Sequence, residues 1–85
     1  MDRQEIEQKV KEIVAYQFGI KVDELFLDTS FVKDLNTDSL DLIEMVMGVE
    51  DRFDITVPDE EAEKLMTIGA VVDYLENRFA NDSSK

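Results

Sequence analysis

Apolar residues recur at helical spacing in three separate stretches of this chain, and within 85 residues those faces have mainly one another to bury against. Ile6, Val10, Ile13, Val14 and Phe18 predict a first helix over Arg3–Phe18. Asp2 and Glu5 sit near its start, where the helix dipole favours acids, and Gly19 offers a stop. A second helix is expected from Ser39 to Arg52 or Phe53, with Thr37 and Asp38 as cap candidates. Asp38 and Asp41 are spaced like a capping box, although its third position usually holds Glu or Gln. Pro58 suits the start of a short third helix over 59–65. Thr67 caps a fourth, with Ile68, Val71, Val72, Leu75 and Phe79 on one face and Gly69 in its first turn.

Residues 20–37 follow no single period, yet Val22, Leu25, Leu27, Phe31, Val32 and Leu35 are apolar. A connection that long and that apolar is expected to pack across the helix ends, with at most one turn near residues 23–26. The expected fold is therefore all-α: a small four-helix bundle of three longer helices and one short one, with a long first loop. One domain over 1–80 and a frayed polar tail over 81–85 complete the expectation.

The charge narrows the partners. The chain carries 21 acidic and 9 basic residues, a formal net charge of −12. Phosphate backbones and anionic membrane surfaces are disfavoured, and basic partners or cations are favoured. Self-repulsion should make salt or divalent ions stabilising. With no Cys and no His, the chain cannot form a disulfide, a Cys/His zinc site, a cysteine nucleophile or a Ser–His pair. There is no stretch of membrane-span length and no signal-peptide core, and Met1 reads as an unprocessed start. A cytoplasmic location is the expectation.

The helix over Ser39–Phe53 departs from the ordinary one-stripe pattern. At about 100° per residue, Leu42, Met45, Val46, Val49 and Phe53 gather on one side. Leu40, Ile43 and Met47 form a second stripe, with Glu44, Glu50, Asp51 and Asp54 on or beside it. Three readings stand together. The second stripe can be scattered exposed apolars, a surface covered by another helix, or a docking strip in which apolar contact binds and acids steer. Between residues 38 and 63 there are ten acids and one base, Arg52. Such a run is a solvated face, a partner surface, or a weak divalent-cation site lacking the loop spacing of an EF-hand.

Ser39 opens this helix. A serine there is ordinarily a cap, but Asp38 can take that role and leave the hydroxyl pointing outward. Backbone N–H groups and the positive end of the dipole suit a phosphate esterified at Ser39. Lys33 is the nearest base in sequence, and nothing directs it to the hydroxyl.

The stretch over residues 34–67 carries a recognisable pattern. It holds Asp38-Ser39-Leu40-Asp41, Glu44-Met45-Val46-Met47, Glu50-Asp51-Arg52-Phe53-Asp54-Ile55 and Val57-Pro58-Asp59-Glu60-Glu61-Ala62-Glu63-Lys64. With Phe31-Val32 and Asp73-Tyr74-Leu75, it resembles the bacterial-type acyl carrier proteins of dissociated fatty acid synthesis along nearly the whole chain. The resemblance implies a non-catalytic carrier with 4′-phosphopantetheine covalently attached to Ser39 by a holo-carrier synthase, a phosphopantetheinyl transferase. Acyl chains would ride as thioesters on the arm's thiol, which matches a chain with no Cys of its own. It implies a monomer, with no nucleic acid and no membrane insertion. Its expected partners are fatty acid synthesis enzymes with basic docking patches and acyltransferases, which would meet Asp38, Leu40, Asp41, Ile43, Glu44, Met47, Glu50 and Asp51. Leu42, Val46, Val49, Phe53, Val57, Ala62 and Leu65 would line an acyl cavity in such a protein and are equally ordinary core. Asn36-Thr37 replace the usual Gly-Ala before the serine, and Lys33 replaces a common acid. Asn tolerates the left-handed backbone that turn requires. A carrier for a polyketide or lipid A pathway, a plain acidic adaptor and a cation-binding protein are the alternatives.

Overall fold

A computed structural model describes residues 2–83, with 80–83 described by backbone alone. The first helix, α1, spans Arg3–Phe18. Asp2 caps it, its carboxylate accepting the Glu5 N–H at 2.9 Å. Gly19 ends it at φ 67°, ψ 37°, a left-handed geometry that a residue without Cβ adopts freely. The second helix, α2, spans Ser39–Phe53 and ends on Asp54, also left-handed at φ 55°. A short α3 covers Asp59–Ala62, and α4 runs Ile68–Ser83. The fold is the small helical bundle expected from the apolar periods.

The core forms where α1 meets α4. Ile6, Val10 and Val14 face Ile68, Val71, Val72 and Leu75, all fully buried. Met45, Val49 and Phe53 add one face of α2, and the Phe53 and Phe79 rings tilt against each other at 5.8 Å. Arg3 ties the two outer helices, reaching Asp73 at 2.7 Å and Glu76 at 2.9 Å.

The long connection is anchored through backbone. It contains one tight turn at Val22–Glu24 and buries Leu25, Thr29 and Phe31. Phe31 N–H donates to Met66 O at 3.0 Å, Ile68 N–H to Thr29 O at 3.2 Å and Gly69 N–H to Leu27 O at 2.7 Å. A Cβ on Gly69 would lie 2.9 Å from Leu27 O, so the glycine permits this approach.

Two boundaries differ from expectation. The α3 helix stops at Ala62 instead of 65, because Lys64 N–H and Leu65 N–H turn back to Glu61 O and Ala62 O in tighter three-residue bonds. That tightening swings Leu65 into the core and sets Met66 O against Phe31. The α4 backbone continues helically through 81–83, read from sequence as tail, since no Gly or Pro follows Gly69 to break it. Ser84 and Lys85 lie outside the described residues.

Candidate functional site

Ser39 is the first residue of α2, exposed, and its hydroxyl makes no hydrogen bond among the described residues. Asp38 frees it. Asp41 N–H donates to the Asp38 carboxylate at 3.0 Å, and Asp38 N–H donates to the Asp41 carboxylate at 3.3 Å. This is the reciprocal box suggested by the spacing, with Asp in place of Glu. Thr37, the other cap candidate, is not used so. Its N–H and hydroxyl both donate to Phe31 O, at 3.1 and 2.9 Å. Asn36 takes the left-handed backbone, φ 53°, in the turn before the cap.

The second stripe on α2 is not covered by another helix. Leu40 is 63% exposed, Ile43 56% and Met47 57%, far more than core-facing neighbours on the same helix. Glu44 and Asp51 are exposed beside them, and Glu44 accepts a hydrogen bond from Gln17 of α1 at 3.0 Å. Glu50 is different. It is half-buried, and its carboxylate accepts the Val57 N–H at 2.7 Å, tying α2 to the segment before α3. Asp38 and Asp41 spend carboxylate oxygens on the cap, with Asp38 exposed and Asp41 half-buried.

A groove of about 530 Å³ opens between α2 and α3. Ser39, Leu42, Ile43, Val46, Met47 and Glu50 line one wall, and Val57, Asp59, Ala62, Glu63 and Met66 the other. Of the residues a cavity was expected to use, Leu42, Val46, Val57 and Ala62 line it. Val49, Phe53 and Leu65 are buried in the core instead and do not line it. Ile43 and Met47 serve both groove and strip, which a helical projection treats as separate surfaces. Met66 on the far wall had no signal in the sequence, because a tertiary backbone tie places it there.

The site suits a phosphate ester. The Ser39 and Leu40 N–H groups have no partner among the described residues, and the positive end of the α2 dipole lies with them. Among the described residues no three acidic side chains converge as a metal site would require.

A family model described as "Phosphopantetheine attachment site" matches residues 8–75. The chain belongs to the phosphopantetheine-attachment family. It is a carrier: the family bears phosphopantetheine covalently on a serine and does no catalysis of its own. Membership implies encounters with a phosphopantetheinyl transferase and with synthase enzymes. Among the described residues no helix is long and apolar enough to cross a membrane.

Proposed function

We propose that Ser39 is the attachment serine, and that this carrier holds growing acyl chains for the enzymes of fatty acid synthesis in the cytoplasm. The observation that carries the first part is the free hydroxyl of Ser39 on the lining of a groove that also holds Leu42, Ile43, Val46, Met47, Val57 and Met66. The matched residues contain one other serine, Ser30. Its hydroxyl already accepts the Lys33 N–H at 3.1 Å, and its own N–H is held by Asp34 at 2.7 Å.

When attached, the arm supplies a thiol on which an acyl group is held as an activated ester. The chain's own residues supply the setting. Asp38 and Asp41 fix the helix start between themselves and leave Ser39 Oγ unengaged. The free N–H groups at the α2 terminus favour the anionic linkage. Leu40, Ile43 and Met47 offer apolar contact to a partner, while Glu44 and Asp51 draw a basic one to the correct face. Fatty acid synthesis is favoured over other carrier pathways by this acidic α2 around Met45-Val46-Met47 and by a groove whose inner wall is aliphatic.

Mass spectrometry after incubation with a phosphopantetheinyl transferase and coenzyme A tests the attachment. One phosphopantetheine is expected on the parent chain and none on Ser39→Ala. An unmodified parent, under conditions that modify a control carrier, removes the proposal. The pathway is tested by supplying the loaded chain to purified fatty acid condensing and reducing enzymes, where chain elongation is expected.

A further inference from the structure

The turn over residues 26–29 holds an aromatic ring in solvent on a backbone that is pinned from several sides. Phe26 is 60% exposed. Its N–H donates to Thr29 Oγ1 at 2.9 Å, and Thr29 N–H returns to Phe26 O at 3.0 Å. Thr29 itself is buried, and the Gly69 and Ile68 N–H groups fasten Leu27 O and Thr29 O to the start of α4. The backbone that carries the exposed ring is therefore fixed, so ordering the turn itself costs little for a ligand that meets the ring.

Phe26 borders a hollow whose apolar side is completed by Ile20 and Leu35 and whose polar side is Glu24, Asp28 and Asp34. Asp34 uses an oxygen on Ser30 N–H, whereas the Glu24 and Asp28 carboxylates bind nothing among the described residues. Lys21 and Lys33, the nearest bases in sequence, do not line the hollow. None of its lining residues belongs to the groove at Ser39.

We infer that this hollow is a receptor for an arginine side chain of a partner protein, a second contact independent of the α2 strip. An arginine has the three properties the hollow lacks. Its methylene stem fits apolar walls, its planar guanidinium stacks on a ring face, and its several N–H donors match two unengaged carboxylates. A lysine ammonium would satisfy the charge but not the stacking. The net charge of −12 draws such a partner in from a distance.

The test titrates the isotope-labelled full chain with Nα-acetyl-L-arginine amide at low salt, reading backbone amide shifts. The matching citrulline amide, equal in shape but uncharged, is the comparison. Saturable shifts confined to residues 20–35 are expected from arginine and not from citrulline. Phe26→Ala should weaken binding about two- to fivefold, the loss of one exposed cation–ring contact. Phe26→Leu should behave like Phe26→Ala, and Glu24→Gln with Asp28→Asn should weaken it comparably. Met47→Ala should leave it unchanged. Shifts spread evenly over the acids of α2, equal binding of citrulline, or parent-like binding by Phe26→Leu would each overturn the inference.

Discussion

The α1 and α4 helices close on each other, whereas α2 and α3 stand apart. The first pair bury seven side chains completely and are clasped across their ends by Arg3. The second pair leave a groove, and α3 contributes no fully buried residue of its own. Composition separates them first, because α3 is Asp-Glu-Glu-Ala and has no large apolar side chain to bury. Length separates them too. Four turns of α4 give α1 a matching ridge, while the four residues of α3 can cover only one edge of α2. Complete burial is thereby densest between α1 and α4, while the exposed strip and the groove beside Ser39 lie on the other pair.

The sharpest way to break this division is Leu75→Ala in α4. It should cost about 2–5 kcal/mol, as removal of a fully buried leucine does, and lower the denaturant midpoint accordingly. A cost near zero would show that the α1–α4 half is not the seat of stability. Gly69→Ala comes next. The added methyl meets Leu27 O, a backbone atom, and should cost about 1–3 kcal/mol despite alanine's better helix propensity. A stabilised variant would mean that the loop yields easily.

Substitutions on the open half should sort the other way. Met47→Ala should change stability by under about 0.5 kcal/mol while lowering transferase kcat/KM roughly fivefold through lost apolar contact. Glu44→Lys should slow association at low salt and approach the parent at high salt. Unchanged kinetics in both would dissolve the strip. The smallest effect belongs to Glu12, whose carboxyl is held below its ordinary range by a hydrogen bond from Gln8 and, secondarily, by Arg52. A lowered folded value adds stability above the unfolded pKa and loses it as pH falls through the folded one. Followed by carboxyl NMR, Gln8→Ala and Arg52→Gln should each return the Glu12 titration toward normal, and an unchanged titration in both would remove these contacts as the cause.

The closed half was legible in the sequence because one period on one helix predicts one buried face. Ile6, Val10 and Val14, and Ile68 through Leu75, needed nothing more. The start of α2 was legible too, since capping is local chemistry between Asp38 and Asp41. What remained hidden depends on pairs distant in the chain. Glu50 resembles a rim acid until its bond to Val57 is seen, and the end of α3 is fixed by the turn that brings Met66 to Phe31. Phe26 gave no warning either, because an exposed ring and a core ring in an irregular loop look alike before folding.

Phe31 has one consequence of a mechanical kind. Its N–H is held by Met66, its carbonyl takes both donors of Thr37, and its ring is locked in the core. Met66 stands on one wall of the groove, and Ser39 is two residues beyond Thr37 on the other. A pull on Ser39 therefore runs through a short backbone linkage into the opposite wall. Both walls of the groove are thus tied to one buried residue, Phe31, and any change in their spacing must act on that residue's backbone bonds.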